Sequence, residues 1–560
     1  MESSTEQARG VTDPASAGAH SKRALIAVAV VLSCLLPFLG KAFNVDDPLF
    51  LWAARQIQTR PADFFGFAVN WYGYTLPMAE VTMNPPLTSY FIALVAGPFG
   101  WSEVALHTAF LIPAAAAAFG TYALAARLTE KPLLATLLGL LTPVFIVSST
   151  SVMCDTMMLA FWVWAMVFWI RGLKEERAWL LAVSALLMAA CSLTKYFGMT
   201  LVPLLAVYAL IERRSLRGWI WHLLIPLSIL AAYQYATAAL YGRGMLTDAA
   251  SYATQVNVQL GRAPFSQGLI GLAFIGGSVA TSLFYLPLLW SRRGLAALAL
   301  LAASLLVLLL MTGMFGNSEL KDATGIRWPF VLQIVVMTTG GVSLLALVFA
   351  ELWKRRSNDA LLLFLWILGT SLFASQINWT VNARSLLPMA PAAGILLARG
   401  LDRRSPAAAT ASPRRRFWPL IPALAIAMSV GWSDFRWSNA SRDAARALGE
   451  KLGQGSGTLW FQGHWGFQYY MEALGFRAVD FRDLQLSRGD RMVVPLNNTN
   501  VDPGVAKRFR LRGFHEAPVC GWLSTLNTGV GAGFYSHTMG PIPYVFGAIP
   551  PDRYAMLDLY

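Results

Sequence analysis

The chain is a succession of long apolar runs separated by short, cation-bearing loops, and this constrains the fold more than any other feature. Apolar runs lie at 24–40, 104–127, 133–150, 156–171, 178–193, 196–211, 217–241, 268–290, 294–315, 329–353, 359–376, 384–400 and 417–432. A helix needs about 20 mainly apolar residues to cross the hydrocarbon core, and there its backbone must satisfy its own hydrogen bonds. Several runs are shorter, so their edges are soft, but together they predict about thirteen transmembrane helices. Only 13% of the residues are charged, against about 25% in soluble domains. The formal net charge of +14 would suit a nucleic-acid partner. Many of the cations, however, cluster between apolar runs: Arg213-Arg214, Arg292-Arg293, Lys354-Arg355-Arg356, Arg403-Arg404 and Arg414-Arg415-Arg416. That is the positive-inside pattern, which speaks for membrane lipids and against nucleic acid as partners. Cys34, Cys154, Cys191 and Cys520 show neither metal-ligand spacing nor a disulfide framework.

Residues 1–20 are small and polar and predict a disordered cytoplasmic tail. Lys22-Arg23 then lead into a first helix with no small-residue cleavage site after it, so it is read as retained. With the cation-bearing loops inside, the loops at 41–103, 151–155, 194–195, 242–267, 316–328 and 377–383 fall outside. The short apolar segment 87–99 reads as interfacial or re-entrant, since a full crossing would invert every later loop. The outer loop 41–103 is rich in aromatic residues, and Leu49, Trp52, Ala53 and Ile57 recur in it at helical spacing. That predicts an amphipathic helix lying in the membrane plane. The expected organisation is a tail at 1–20, a transmembrane catalytic domain at 21–432 and a small α+β extracytoplasmic domain at 433–560.

Four positions carry candidate chemistry, each beside a plainer explanation. Asp46 and Asp47 follow the first span, where carboxylates are costly unless they serve a purpose. Asp47 before Pro48 also reads as a simple helix start, which leaves Asp46 unexplained. Asp155 stands at an outer loop-to-helix boundary and reads equally as an N-cap. Lys195-Tyr196 occupies an outer turn, where a snorkelling lysine with an interfacial tyrosine is the plain alternative. Arg384 starts a late span, where it either grips a phosphate or anchors the helix end. All four lie far apart in the chain yet map to one membrane face. There a carboxylate takes a proton from a hydroxyl and cations stabilise a departing phosphate, a set that suits a lipid-linked sugar phosphate.

Five motifs around these residues resemble the GT-C glycosyltransferases, in particular the branch of protein O-mannosyltransferases and lipid A aminoarabinose transferases. They are Asn44-Val45-Asp46-Asp47-Pro48 with Trp52-Ala53, Asn84-Pro85-Pro86-Leu87, Cys154-Asp155-Thr156 with Leu159-Ala160-Phe161-Trp162, Ser192-Leu193-Thr194-Lys195-Tyr196-Phe197-Gly198, and Ala383-Arg384-Ser385-Leu386-Leu387-Pro388. The likeness spans roughly residues 24–400. It implies an all-α polytopic GT-C fold and an inverting transfer from a polyprenyl-phosphate sugar to an acceptor hydroxyl on a lipid, a glycan or a protein. The expected setting is the outer face of a bacterial cytoplasmic membrane. Asp46 matches the family's catalytic base and Asp155 its second acid. Lys195 and Arg384 match lipid-phosphate contacts, and Asp47, Asn84 and Tyr196 are further expected substrate-binding positions. The resemblance assigns no certain cofactor and leaves a divalent metal ion open. Three positions depart from the pattern: Asn84 where a basic residue or His often precedes Pro-Pro, His107 where many relatives have Arg, and Ser385 in place of Tyr.

The alternative is a polytopic lipid or glycan transporter or flippase. It predicts charged residues mid-helix along a path, often within inverted repeats. No internal repeat is evident, and the candidates fall at helix ends. A third reading gives the function to the outer domain through Gly463-His464-Trp465-Gly466-Phe467-Gln468-Tyr469-Tyr470, whose aromatics either stack on sugar or build a core; the core is favoured.

Overall fold

The computed structural model describes residues 14–259, 263–403, 414–453 and 457–559. Its first helix, α1, runs Pro14–Leu35 and so begins inside the stretch expected to be a disordered tail; residues 1–13 of that expectation lie outside the described residues. Eight helices among the described residues are long and apolar enough to cross a membrane, or up to nine if a bent pair forms one span. The pair is Pro132–Leu140 with Pro143–Ser149, bent by 70°. The bend has a local cause: the residue before a proline is excluded from helical backbone, and Thr142 is extended at φ −121°, ψ 152°.

The expected thirteen therefore divide. Besides the bent pair, the run 178–193 forms a helix of only 17 residues. The run 268–290 breaks into Pro264–Ser278 and two single turns. The run 384–400 opens as a 3-10 turn, Arg384–Met389, with Pro388 inside it. The run 417–432 is the first part of a longer helix that continues to Leu452.

Between α1 and the later spans lies the first loop region. Helix α2 (Asp47–Thr59) starts with Pro48 in its first turn, where the missing proline N–H costs nothing. The predicted apolar face exists, and Leu49, Ala53 and Ile57 are buried. It is turned toward protein rather than lipid, joining Phe64, Phe65, Ile92, Ala96 and Leu106 in one core. A short antiparallel ribbon follows, β1 (Ala68–Asn70) with β2 (Thr75–Pro77). The segment 87–99 is helix α3 (Leu87–Phe99), 13 residues packed on α2. At 1.5 Å per residue it spans about 20 Å, short of a crossing. Helices α4 (Glu103–Leu128), α5 (Asp155–Lys174) and α6 (Ala178–Thr194) then pack in sequence around buried Trp162 and Trp169.

Helix α7 (Leu420–Leu452) has 33 residues, about 50 Å of rise. The expected boundary at 432 falls inside it, so one continuous helix joins the apolar bundle to the C-terminal region. That region builds a five-stranded sheet: β3 (Leu459–Phe461), β4 (Arg477–Ala478), β5 (Arg491–Pro495), β6 (Phe509–Ala517) and β7 (Asp552–Leu559), in the order β6-β7-β5-β3-β4. The β3 pairings are parallel and the others antiparallel. Helix α8 (Trp465–Ala473) joins β3 to β4 and buries Phe467 and Gln468, so the aromatic segment 463–470 is largely core. Gly466 in α8 lies against the first loop, where an added Cβ would stand 2.0 Å from the Phe43 carbonyl oxygen.

Candidate active site

The chain reaches Asp46 through a strained turn. Val45, a β-branched residue, has φ +50°, a conformation that such residues rarely adopt and that persists only where the surroundings impose it. Asn44 imposes it. Its Oδ1 accepts from the Val45 N–H at 2.8 Å and from the Gly466 N–H at 3.4 Å, while its Nδ2 donates to Ser438 Oγ at 3.3 Å. Asp46 then caps α2 by position without a side-chain capping bond, so its carboxylate is committed elsewhere.

That commitment is to Arg384, whose Nη2 donates to Asp46 Oδ2 at 2.9 Å. The Arg384 Nε faces Asp155 Oδ2 at 3.6 Å, and the other Asp155 oxygen takes Lys195 Nζ at 2.6 Å. Asp46, Arg384, Asp155 and Lys195 form one continuous chain of alternating charge. Asp155 is wholly buried, and its Oδ2 makes no hydrogen bond among the described residues. The Asp46 and Lys195 side chains keep 28% and 16% of their surface, so the chain is buried in its middle and open at both ends. All four sit at helix ends: Asp46 before α2, Asp155 in the first turn of α5, Lys195 closing α6 and Arg384 opening its 3-10 turn. A path of charges within helices, as a transporter needs, is not how these four are arranged.

Local sequence explains the presentation of Lys195. Its backbone leaves helical geometry at φ −152°, ψ 132°, and the next residues form a 3-10 turn, Tyr196–Thr200, folded back on α6. Gly198 makes the fold-back feasible, because a Cβ there would lie 2.5 Å from the Cys191 carbonyl carbon.

The other expected site residues are placed differently. Asp47 is buried, and its two oxygens accept from the Val152 N–H at 3.0 Å and the Asn44 N–H at 2.9 Å. Burial pushes its pKa up to about 7, against the pull of those amides and nearby Lys41. It braces the Asp46 turn against the Asp155 turn and offers little to a substrate. Asn84 accepts from Cys154 Sγ at 3.6 Å and so touches the residue before Asp155. The Tyr196 hydroxyl lies 3.0 Å from that of Tyr233, outside the ion chain. His107 is buried with its Nδ1 2.8 Å from the Glu103 carbonyl. Among the described residues no group of three or more His, Cys, Asp or Glu side chains is placed to hold a metal ion. The two acids here are neutralised by cations rather than converging on an open position, which does not suit a divalent-ion cage.

A supporting network escaped the sequence reading. Lys41 Nζ and Asp434 Oδ2 pair at 2.5 Å, both fully buried. Asp434 also accepts from Thr525 Oγ1 at 2.9 Å and from the Tyr535 hydroxyl at 3.0 and 2.9 Å. The Tyr535 ring lies 5.7 Å from the Arg384 guanidinium, within cation–π range. The backbone adds to this: the Ala383 N–H donates to the Phe534 carbonyl at 2.9 Å, and the His537 N–H to the Val381 carbonyl at 2.8 Å. The C-terminal region thus holds the segment that presents Arg384. A lone lysine five residues before Asp46 was the available signal.

Known proteins bear on this geometry. Residues 83–235 match the family model described as dolichyl-phosphate-mannose-protein mannosyltransferase. The match takes in Asn84, Asp155 and Lys195 and bears out the resemblance to the mannosyltransferase branch of the GT-C glycosyltransferases. No curated protein matches the chain. Among solved structures, the chain is similar to ArnT from Cupriavidus metallidurans bound to undecaprenyl phosphate, with 14% identity, 88% of this chain and 96% of that one covered, and a TM-score of 0.47. It is also similar to the archaeal oligosaccharyltransferase AglB from Archaeoglobus fulgidus in complex with an inhibitory peptide and a dolichol-phosphate, with 12% identity, 90% and 74% covered, and a TM-score of 0.49.

Proposed function

We propose that this protein transfers a sugar, with inversion, from a polyprenyl-phosphate donor to an acceptor hydroxyl at the extracytoplasmic face of a bacterial cytoplasmic membrane. The observation that carries the reading is the Asp46–Arg384–Asp155–Lys195 chain. It supplies a partly exposed carboxylate beside two cations whose geometry is set by a buried acid. As it stands the chain is electroneutral, and Arg384 is partly spent on Asp46. A donor phosphate entering between Lys195 and Arg384 competes with Asp46 for the guanidinium, and the carboxylate it displaces is the one free to act as base.

The reaction is then a single displacement. Asp46 takes the acceptor hydroxyl proton, the oxygen attacks the anomeric carbon, and the bond from that carbon to the phosphate oxygen breaks on the opposite face. The electron pair leaves with polyprenyl phosphate, whose negative charge Lys195 and Arg384 stabilise. A phosphate departs without a general acid. Asp155 reaches no substrate from its buried position, so it acts as a positioning residue for both cations rather than steering the acceptor.

The test is sugar transfer in membranes charged with labelled polyprenyl-phosphate donors, comparing Asp46→Asn with the parent chain. Losing a general base costs about 10²–10⁴-fold, and the variant should stay folded. Transfer at the parent rate would remove Asp46 from the mechanism.

A further inference from the structure

A cavity of about 520 Å³ opens beside α2, walled by β1, β2 and α8. Its size lies in the range of ligand sites, about 300–1,000 Å³. Trp52 and Phe67 supply aromatic surface, and Gln56, Asn70, Thr75 and Glu472 supply polar atoms. Three of these polar side chains are anchored by one end only. Gln56 Nε2 donates to the Asp63 carbonyl at 3.0 Å, Asn70 Nδ2 to the Val479 carbonyl at 2.9 Å, and Glu472 Oε1 accepts from Gln468 Nε2 at 2.7 Å. Gln56 Oε1, Asn70 Oδ1 and Glu472 Oε2 make no hydrogen bond among the described residues, so fixed side chains present unspent acceptor oxygens.

That combination selects a ligand class. Acceptor oxygens around aromatic faces match a molecule that offers many hydroxyl donors and flat C–H surfaces. They repel phosphates and carboxylates, the more so with Glu472 present. The one cation in the wall, Arg55, is already committed: it lies 5.1 Å from the Trp101 ring and 5.6 Å from the Tyr469 ring, and its Nη2 donates to the Tyr469 hydroxyl at 3.1 Å. Helix α2 sets the distance from the reacting group. With Asp46 at its start, Trp52 and Gln56 lie about 9 and 15 Å further along the axis, beyond the reach of the sugar unit whose hydroxyl meets Asp46.

We propose that this groove binds the non-reacting units of a neutral oligosaccharide acceptor, stacking them on Trp52 and Phe67 and accepting their hydroxyls on Gln56, Asn70 and Glu472. The inference rests on the transferase reading above. It also gives the C-terminal region a part in acceptor choice, through Glu472 on α8.

The test uses membranes containing the full chain, charged with radiolabelled nucleotide sugars that supply the lipid-linked donors. Acceptors are envelope polysaccharide from cells lacking the protein, cut by partial hydrolysis into size classes, and in parallel the envelope proteins of the same cells. The variants are Phe67→Ala, Glu472→Gln and their combination, each checked for an unchanged melting temperature. The expected result is label in the polysaccharide fragments, with KM falling as they lengthen. The combined variant should raise KM for long fragments about tenfold while leaving kcat and the shortest fragments unaffected. Glu472→Gln keeps the shape and is the conservative arm should Phe67→Ala unfold. Label in fragments with no dependence on length or variant overturns the groove and leaves the transferase reading standing. Label in protein alone likewise overturns it and makes the groove a peptide site. Label confined to the membrane lipids likewise overturns the groove and leaves the transferase reading standing, whereas label in no fraction, lipid included, overturns the transferase reading itself.

Discussion

Arg384 and Asp46 are 338 residues apart in the chain, yet Nη2 of the one lies 2.9 Å from Oδ2 of the other. The contact belongs to an ion chain that is shielded from water in its middle, at Arg384 and Asp155, and open at its two ends, Asp46 and Lys195. Shielding matters because a pair removed from solvent keeps its geometry, and breaking one member leaves an uncompensated charge.

Arg384→Lys keeps the charge and removes the fork that lets one side chain meet two carboxylates. A lysine ammonium satisfies Asp46 or Asp155 but not both in this geometry. The expected outcome is a folded protein with transfer reduced about 10²–10³-fold, measured as kcat/KM for the lipid donor in membranes.

Gly198→Ala places a methyl 2.5 Å from the Cys191 carbonyl carbon. The Lys195 turn then opens or shifts against α6. A loss of about 1–3 kcal/mol in stability is expected, accompanied by reduced transfer because Lys195 leaves Asp155. Thermal unfolding in detergent and the transfer assay check the two effects separately.

Asp434→Asn leaves Lys41 charged and buried without a counter-ion. Breaking such a pair costs about 3–5 kcal/mol. Adding Lys41→Met should recover much of the loss, since the asparagine still accepts from Thr525 and Tyr535. Melting temperatures of the two single variants and the double variant test this coupling.

His464 packs edge-on against Trp71, with ring centres 4.6 Å apart, and burial drives its pKa down to about 3. The unfolded chain protonates this imidazole near pH 6.5. Above that pH both states are neutral and the full stability is present. As pH falls from 6.5 towards 3, the unfolded state takes up a proton that the folded state refuses. This one group then lowers stability by about 1.4 kcal/mol per pH unit. Unfolding measured against pH should show the slope, and His464→Asn should remove its share.

How much of this was legible in the sequence follows from how local each signal is. Asp46, Asp155, Lys195 and Arg384 stood out because each is a charge at the end of an apolar run, and the structure brings them into one cluster. Asp47 read as a second binding acid, but its role depends on the amide of Val152, 105 residues away, which no local pattern announces. The α2 stripe of Leu49, Ala53 and Ile57 was visible at helical spacing, yet spacing does not reveal whether such a face meets lipid or protein. Asp434 lies within one long helix, where hydropathy alone marks a domain edge rather than a partner for Lys41. The breaks at Thr142 and after Ser278 divide runs that composition reads as continuous.

In the proposed reaction one lipid-linked phosphate touches both cations and displaces Asp46 from Arg384. The direct measurement is an experimental structure of the full chain in lipid nanodiscs with bound polyprenyl phosphate. The expected result is phosphate oxygens within hydrogen-bonding distance of Lys195 Nζ and the Arg384 guanidinium, with the Asp46 carboxylate released toward the acceptor side. A phosphate bound elsewhere, with the Asp46–Arg384 pair intact, would contradict it.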